Sequence, residues 1–291
     1  MNVLVLGVSG TIGHSIWTNL HSDPSHTVWG SIRNTSLLRY VPESTHSKLF
    51  VNADVLNPDQ LLHMFNQSQP DLVINCTGLI KQLDSANDPA VVLPINSIFP
   101  HRLAELCHLT QSRLIQISTD CVFSGKKGSY VETDLSDAED LYGKSKSIGE
   151  IHDKEHVVTL RTSTIGHELD SSLGLVDWFL SQKDQVKGYS NAIFSGLTTI
   201  ELARVIRDFV IPNPSLQGLY HLAAEPISKY DLLHLVAEIY GKKINILKDE
   251  NFRIDRSLNA DKFRQASGYI APAWPSMITT MHQSQQKIRS S

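Results

Sequence analysis

Tyr142 and Lys146 are the residues whose types and spacing could do chemistry. Four positions apart, they would lie on the same face of a helix, one turn from each other. A tyrosine, whose pKa is ordinarily about 10, is a poor acid–base catalyst at neutral pH, and a neighbouring ammonium favours the phenolate and brings that pKa toward the working range. Thr119 directly follows a predicted strand and could hydrogen-bond the same reacting oxygen. The three side chains therefore predict an acid–base site.

The segment DLYGKSKSIGE (residues 140–150), which carries the tyrosine–lysine pair, begins a helix with poor helix formers. Its two glycines and two serines together cost about 2–3 kcal/mol of helix propensity relative to alanine. They fall on two stripes of the helix, Gly143 with Ser147 and Ser145 with Gly149. We predict that these small residues let the helix press closely against the sheet or a partner helix, and that the pair then faces a cleft.

A glycine-rich turn follows the first predicted strand, in VLVLGVSGTIGHSIWTNL (residues 3–20). Glycines three apart allow a tight turn and a close approach of the backbone to a pyrophosphate, whose charge lies at the amino end of the next helix. Because the turn joins the first strand to the first helix of an alternating chain, it predicts a dinucleotide site; a tight turn without a ligand is the alternative. The predicted ligands in this turn are Gly7, Ser9, Gly10, Thr11, Ile12 and Gly13.

The second predicted strand favours NADPH over NADH. A carboxylate about 20 residues beyond the glycines normally holds the ribose hydroxyls of adenosine, but no acid occurs between Asp23 and Glu43. Arg33 could instead pair with a 2′-phosphate through its planar fork; a solvated arginine is the alternative, and NADH is the alternative cofactor. Further predicted cofactor ligands follow the third and fourth strands: Asp54, Val55, Cys76, Thr77 and Gly78.

Short β-branched runs alternate with helical segments along most of the chain. The predicted strands are residues 3–6, 27–32, 48–51, 72–75, 114–118 and 157–161. Asn57-Pro58 and Asp88-Pro89 each place a capping side chain before a proline at the first helical position, and Pro94 is expected to bend or break the second of these helices. This alternation predicts an α/β fold with a Rossmann-type, doubly wound parallel sheet.

The later part of the chain predicts a second unit. Helices are expected at 199–209 and 228–240, the second ended by Gly241, with strands at 218–223 and 243–247. We predict a dinucleotide-binding domain over 1–165, to which part of 190–224 returns. Residues 166–291 then form a smaller, interleaved substrate-binding domain of mixed α/β character.

Composition and charge exclude several classes of protein. The net charge is −4, and no basic cluster exceeds a lysine pair, so the chain offers no electrostatic surface for nucleic acid or an anionic membrane. Strand-like residues begin at Asn2, which leaves no room for a signal peptide, and no apolar run reaches spanning length. The three cysteines match neither a disulfide framework nor a zinc site. The sequence predicts a cytoplasmic protein without a metal.

Three motifs, together with the glycine-rich start, resemble the extended short-chain dehydrogenase/reductases: ISTDCVFSG (117–125), YVETD (130–134) and LYGKSKSIGE (141–150). Within that family the sequence is most similar to dTDP-4-dehydrorhamnose reductase and its relatives that act on nucleotide-linked 4-keto-6-deoxysugars. The resemblance implies Tyr142 as proton donor, Lys146 as its electrostatic partner and ribose anchor, and Thr119 as the assisting hydroxyl. It also implies further cofactor contacts: Asn96, Ser118, Arg161, Thr162 and Ser163.

The substrate end of the chain departs from the family pattern. Arg256 is the candidate for a second phosphate contact, an ordinary salt bridge being the alternative, but the proline that follows the family's arginine is absent. Gly196-Leu197-Thr198-Thr199 replaces the usual Gly-x-Pro-Thr, and a cysteine stands at 121, where a tyrosine is common. The predicted substrate contacts are Lys81, Thr119, Asp120, Cys121, Asn191, Thr198 and Arg256.

These observations predict NADPH-dependent reduction of the C4 ketone of such a sugar, in surface-polysaccharide or deoxysugar biosynthesis. One alternative is a nucleotide-sugar epimerase with bound NAD, against which the acid-free second strand argues. Another is a non-catalytic regulatory subunit of the methionine adenosyltransferase β type, which loss of the tyrosine or lysine would have favoured. Thr119-Asp120-Cys121 supplies a single acid, which argues against a dehydratase. Helix faces lined with small residues are compatible with a homodimer.

Overall fold

Parallel strands alternate with helices in the computed structural model, which describes residues 1–79, 87–170 and 172–290, with side chains as far as 286. In chain order the strands are β1 (Asn2–Leu6), β2 (Thr27–Ser31), β3 (Leu49–Phe50), β4 (Leu72–Asn75), β5 (Arg113–Thr119), β6 (Val157–Thr162), β7 (Thr164–Ile165), β8 (Gln185–Phe194), β9 (Leu197–Thr198), β10 (Gly218–His221), β11 (Ile227–Ser228) and β12 (Asn245–Asp255). The α-helices are α1 (Thr11–His21), α2 (Pro58–Ser68), α3 (Pro89–Leu93), α4 (Phe99–Leu109), α5 (Leu141–Ile148), α6 (Leu175–Ser181), α7 (Thr199–Val205), α8 (Lys229–Tyr240), α9 (Asp261–Ser267) and α10 (Trp274–Ser290).

The central sheet has seven strands in the order β10-β6-β5-β4-β1-β2-β3, and every neighbouring pair is parallel. The order runs outward from β1 in both directions, so the crossover helices cover both faces. The predicted α/β fold with a Rossmann-type, doubly wound sheet is confirmed. Because all strands run the same way, their carboxyl ends meet at one edge, where ligands bind in open α/β sheets.

The core lies on both faces of this sheet. Val3 and Val5 of β1 pack in a cluster that includes side chains of α1 and α7. Leu4 and Leu6 point to the opposite face and pack with side chains of α2 and α4. The apolar run without alternation in β1 therefore reflects a strand that is buried on both sides.

The smaller sheet contains two long strands that the sequence did not predict in full. It has the order β11-β8-β12, and β12 runs parallel to β8 with a bulge between Asp249 and Arg253. The sequence predicted a strand at 243–247, of which only residues 245–247 belong to β12, and it predicted nothing of β8. β12 is mostly exposed and charged, so it lacks the apolar pattern of a strand, and its pairing with β8 decides its conformation.

After β7 the chain leaves the central sheet and returns to it. Helix α7 packs against α1, and β10 pairs with β6 at the edge of the sheet. Strands β8 and β12 and helix α8 lie in the smaller unit. The domain division at residue 165 stays a prediction. None of the helices in the described ranges combines the length and apolar character needed to cross a membrane.

Helix boundaries agree with the capping signals and differ at one proline. The side chain of Asn57 accepts hydrogen bonds from two backbone amides of α2, that of Asp88 accepts one from Ala90, and Gly241 ends α8 with φ 65°. Pro94 was expected to bend or break the helix; the helix is not broken there, and residues Pro94–Ile98 form a π-helical turn that joins α3 to α4. Proline has no N–H to donate to the preceding turn, and the wider turn continues the helix despite that loss.

Helix α5 approaches its neighbours as closely as its small residues allow. A Cβ atom added to Gly143 would lie 2.2 Å from the carbonyl oxygen of Cys121, and one added to Gly149 would lie 2.0 Å from that of Asn96. Ser145 is completely buried. The predicted close packing of this helix is confirmed, and it explains why poor helix formers occupy these positions.

Gly143→Ala tests whether packing outweighs helix propensity. Propensity alone would favour alanine by about 1 kcal/mol, whereas the backbone contact with Cys121 requires the helix to move. We expect the substitution to lower the free energy of unfolding by about 1–3 kcal/mol, the usual cost of overpacking. Urea denaturation measures this. Ser147→Ala, at a half-buried position of the same helix, is the control and should change the value by less than about 0.5 kcal/mol; a stabilising Gly143→Ala would contradict the packing argument.

Candidate active site

The glycine-rich turn between β1 and α1 forms an open backbone cradle. Gly7 has φ 88°, a conformation that L side chains rarely adopt, and its amide donates to the hydroxyl of Ser31 at the end of β2. A Cβ atom on Gly13 would lie 2.2 Å from the carbonyl oxygen of Gly7. No side chain caps the first turn of α1, so its amides remain oriented toward a ligand. The cradle fits a diphosphate, and Ser31 is a member that sequence reasoning missed.

The predicted cofactor residues Arg33, Asp54 and Val55 follow the ends of β2 and β3. Arg33 follows β2 and is exposed, and its guanidinium makes no ion pair or hydrogen bond with another described residue. A 2′-phosphate could therefore reach it. Asp54 lies four residues beyond the end of β3, not directly at its end as expected, and its carboxylate accepts from the amide of Leu56. Val55 beside it is buried.

The segment after β4 connects the cradle to the catalytic helix. A Cβ atom on Gly7 would meet the backbone of Cys76 at 3.2 Å, and one on Gly78 would lie 3.9 Å from Nζ of Lys146. Both the amide and the hydroxyl of Thr77 donate to Oδ1 of Asn75. Cys76, Thr77 and Gly78 thus lie between the phosphate cradle and Lys146, where a bound dinucleotide would pass.

Lys146 is buried, and its ammonium donates to the carbonyl oxygen of Ile117 at 2.9 Å. Burial lowers the pKa of Lys146 to about 8, against the opposing effects of Glu150 and Cys76. The side chain therefore still carries its charge at neutral pH. Its hydrogen bond to β5 fixes the ammonium beneath the edge where the strands end.

Tyr142 has the opposite pKa shift from the one that the sequence suggested. Burial raises the pKa of its phenol, Cys121 adds to the increase, and a hydrogen bond with Thr119 lowers it. The expectation that Lys146 brings this pKa toward neutrality was wrong in this structure, because the ammonium is bound at Ile117 and Lys146 is not among the groups that govern the phenol. Tyr142 is therefore held in its neutral form, which is the form that donates a proton.

Asn96 holds two neighbouring segments in place. It lies in the π-helical turn with 1% of its surface exposed. Its amide nitrogen donates to the carbonyl of Leu79 and to the hydroxyl of Ser145, and its amide oxygen accepts from the nitrogen of Leu79. These hydrogen bonds hold the segment after β4 against α5, so the Asn96 side chain connects two segments that carry predicted site residues.

Glu150 is a buried residue that sequence reasoning missed. Its carboxylate receives two hydrogen bonds of 2.7 Å from Arg161 and one of 2.6 Å from Ser118. Burial alone would raise the pKa of Glu150, but hydrogen bonds from Arg161, His152 and Ser118 outweigh it and lower the pKa to about 2. The available signal was a glutamate four residues after Lys146, just beyond the end of α5.

This ion pair revises two predicted cofactor contacts. Arg161 and Thr162 are the last residues of β6, and the guanidinium of Arg161 is buried against Glu150. The hydroxyl of Ser118 is likewise directed to Glu150. The side chains of Arg161 and Ser118 both donate hydrogen bonds to Glu150, so we expect these two residues to contact a cofactor through their backbone atoms. Thr162 and Ser163 continue from β6 toward β7.

The predicted substrate residues divide into those that converge and those that do not. Thr119, Asp120 and Cys121 form the turn beside Tyr142. Arg256 joins them: its Nε donates to the carbonyl of Phe123 at 2.8 Å, and its Nη1 lies 3.5 Å from Sγ of Cys121. Within the described ranges no carboxylate pairs with this guanidinium, so the salt-bridge alternative is not observed.

Two other predicted substrate residues, Thr198 and Asn191, do not join this group. Thr198 is 1% exposed, and its hydroxyl caps α7 by accepting from the amide of Glu201, a structural role that differs from the expected one. Asn191 lies on β8 and donates to the carbonyl of Glu250. Lys81 lies outside the described residues. A third residue that sequence reasoning missed, Lys229 at the start of α8, influences the pKa of Asp120.

The chain matches one family over nearly its whole length. The family model described as the RmlD substrate binding domain matches residues 1–285. A probable low-salt glycan biosynthesis reductase of Haloferax volcanii is 26% identical over 285 residues, covering 92% of this chain and 87% of the relative. Methionine adenosyltransferase 2 subunit beta of Mus musculus is 22% identical over 251 residues, covering 82% of this chain and 72% of the relative.

A solved structure has the same fold. The crystal structure of dTDP-4-dehydrorhamnose reductase from Bacillus anthracis in complex with NADP gives a TM-score of 0.79, with 20% identity. The alignment covers 97% of this chain and 98% of that one. The likeness extends through both the central sheet and the smaller unit.

Glu150→Gln tests the buried ion pair. Removing the carboxylate leaves the Arg161 charge buried without a counter-ion, so we expect the free energy of unfolding to fall by about 3–5 kcal/mol. Since the pKa of Glu150 is lowered in the folded state, its stabilisation is present above its ordinary value of 4.5 and is lost as pH falls toward about 2. The difference between wild type and variant in urea denaturation should therefore shrink on acidification. Glu139→Gln, which removes an exposed partner of Lys126, is the control and should cost less than about 1 kcal/mol; equal losses in both variants would contradict this account.

Proposed function

The chain belongs to the RmlD substrate binding domain family, and from this premise we propose that it is an NADPH-dependent reductase of the C4 ketone of a nucleotide-linked 4-keto-6-deoxysugar. The observation that carries the proposal is the position of the neutral phenol of Tyr142. It lies beside Thr119, at the same sheet edge as the glycine cradle and Lys146. A protonated phenol at that place has the form needed to donate a proton to a carbonyl oxygen that is being reduced.

NADPH is the cofactor that the described residues fit. The cradle of Gly7, Gly10 and Gly13 accepts a diphosphate, and the exposed Arg33 is available to a 2′-phosphate. The structural neighbour from Bacillus anthracis was crystallised with NADP. When bound, this cofactor supplies the hydride. NADH is the alternative, with the same cradle and without the Arg33 contact.

The protein's own residues handle the proton and the developing negative charge. Tyr142 donates its phenolic proton to the oxygen of the substrate ketone as negative charge develops there. Thr119 donates a hydrogen bond to the same oxygen. The Lys146 ammonium, which is held at Ile117 close to Gly78, would anchor the ribose of the cofactor. Burial favours the protonated phenol of Tyr142 at neutral pH. Lys146, with a pKa of about 8, remains charged at the same pH.

The biological setting follows from the same premise. We assign the protein to deoxysugar or surface-polysaccharide biosynthesis, consistent with the glycan biosynthesis reductase of Haloferax volcanii among its relatives, and to the cytoplasm. Its substrate is a nucleotide sugar that Arg256 contacts through phosphate. Homodimer formation stays a prediction.

A second candidate function has a specific observation in its favour. Methionine adenosyltransferase 2 subunit beta of Mus musculus aligns with 82% of the chain, so a role as a non-catalytic subunit is compatible with the fold. Tyr142, Lys146 and Thr119 are all present here and converge on one edge of the sheet. A regulatory subunit does not require that convergence, which is why the reductase is preferred.

Turnover with keto-sugars separates the candidate functions. We expect the purified protein to oxidise NADPH in the presence of at least one of the dTDP-, UDP-, GDP- or CDP-linked 4-keto-6-deoxysugars, followed as loss of NADPH absorbance. An epimerase would instead convert a nucleotide sugar without net loss of NADPH. A regulatory subunit would show neither reaction and would co-elute with a methionine adenosyltransferase catalytic subunit.

Tyr142→Phe tests the proton donor. Removing the hydroxyl leaves the cradle intact, so NADPH affinity should stay unchanged, while turnover should fall by about two orders of magnitude or more, the usual contribution of a general acid. Steady-state kinetics and NADPH fluorescence titration measure the two effects. Tyr189→Phe, on the exposed part of β8, is the matched control and should retain full activity. Undiminished turnover in Tyr142→Phe would remove the assignment.

A further inference from the structure

His221, the last residue of β10, is completely buried beside the Arg161–Glu150 ion pair. β10 pairs with β6 in a register that places His221 opposite Arg161. Nη1 of Arg161 lies 3.3 Å from Nε2 of His221, and Nδ1 of His221 lies 3.1 Å from the carbonyl oxygen of Tyr130. The imidazole therefore connects the ion pair to the segment around Tyr130.

These two contacts allow only one form of the imidazole ring. A guanidinium has no acceptor, so Arg161 must donate and Nε2 of His221 must accept. A carbonyl oxygen cannot donate, so the ring proton lies on Nδ1 and is donated to Tyr130. Burial, with a further contribution from Arg161, lowers the pKa of His221 to about 4. His221 is therefore neutral at neutral pH and has a single tautomer.

The ion pair beside His221 holds the strand end that carries Thr119. Glu150 accepts two hydrogen bonds from Arg161 and one from the hydroxyl of Ser118, the residue immediately before Thr119. Glu150 itself follows directly after the C-cap of α5. The ion pair therefore fixes the end of β5 relative to the catalytic helix.

The face of the Arg161 guanidinium holds the chain just after Asp120–Val122, the turn that follows β5. Its central carbon lies 5.0 Å from the ring centroid of Phe123, an arrangement of the cation–π type. Phe123 directly follows the turn, and its ring stacks on Tyr130 at 4.0 Å and lies 6.0 Å from the ring of His221. One guanidinium is thus linked to the chain on both sides of this turn.

We propose that His221 is a positioning residue for the reduction. By accepting from Arg161 it fixes the orientation of the guanidinium, and through it the position of Thr119 relative to Tyr142. The proposal rests on the proposed function, in which both hydroxyls meet the same ketone oxygen. Without an acceptor at Nε2, a buried N–H of Arg161 would lack a partner, and we expect the guanidinium to turn toward another acceptor. A small displacement of either hydroxyl lowers the rate steeply, because the reaction requires aligned groups.

Three substitutions separate the two hydrogen bonds of the ring. His221→Gln places an amide oxygen as far along the side chain as Nε2, so it can still accept from Arg161, whereas His221→Asn reaches only as far as Nδ1. His221→Phe keeps a ring and removes both hydrogen bonds. We expect kcat to fall about tenfold or more in His221→Asn and His221→Phe, with KM and the Kd of NADPH unchanged. In His221→Gln kcat should stay within a few-fold of wild type.

Leu219→Ala is the control for a loss of stability. Leu219 is buried in the same strand as His221. Its truncation should lower the Tm through the lost packing, but kcat measured well below the Tm should stay at the wild-type value. The proposal would be overturned by an unchanged kcat in His221→Phe, by an equal loss of kcat in Leu219→Ala, or by equal losses in His221→Gln and His221→Phe. If no variant of His221 folds, Phe123→Leu decides, because it removes the ring that packs on the guanidinium; wild-type kcat in Phe123→Leu would overturn the proposal.

The tautomer of His221 is measured without a sugar substrate. Long-range proton–nitrogen NMR spectra of the NADPH-bound protein with isotope-labelled histidine are compared with those of His221→Gln to identify the ring. We expect the proton on Nδ1 at neutral pH, and a proton on Nε2 would overturn the proposal whatever the reaction is. Lack of wild-type turnover with every keto-sugar would overturn the reductase function, whereas wild-type turnover that persists in His221→Phe would overturn the role of His221 alone.

Discussion

The close contact of helix α5 with two backbone carbonyls is the constraint on which the candidate active site depends. Gly143 lies against the carbonyl of Cys121 and Gly149 against that of Asn96, and no larger residue fits at either place without movement. The first contact fixes the start of the helix relative to the end of β5, so Tyr142 lies beside Thr119. The second fixes its end relative to the π-helical turn. Small residues with low helix propensity occupy these positions because the close approach of α5 to both carbonyls leaves no room for a larger side chain.

The buried charges of the site differ in whether they are paired with an opposite charge. Behind the catalytic helix, Glu150 is paired with Arg161 and bonded by Ser118, so the buried charges compensate each other. On the other side, among the residues that the structure describes, Lys146 donates to the carbonyl of Ile117 and Arg256 to that of Phe123, and neither cation pairs with a carboxylate. Compensated buried charge holds a structure in place, whereas uncompensated charge requires a ligand. The division agrees with a scaffold behind the site and anionic ligands in front of it.

The fold alone does not choose among the functions found in this family. A glycan biosynthesis reductase and a methionine adenosyltransferase subunit both align with most of the chain, and proteins that share a fold differ in the groups placed at its site. The choice rests on the neutral phenol, the buried ammonium and the phosphate cradle, all at one edge of the sheet. Those features serve proton donation to a bound carbonyl compound and have no evident purpose in a subunit that performs no chemistry.

Local patterns determined much of this protein in advance. The glycine turn, the capped helices, the apolar strands and the four-residue spacing of Tyr142 and Lys146 are all readable from the sequence, because each depends on neighbours a few positions away. The strands β8 and β12 and the Glu150–Arg161 pair were decided only in the folded molecule. The pKa of Tyr142 belongs with them: sequence spacing placed an ammonium nearby, but burial and the orientation of Lys146 toward Ile117 set the direction of the shift. Solvent exclusion and contacts between distant segments exist only once the chain has folded, and they decided the electrostatics of the site.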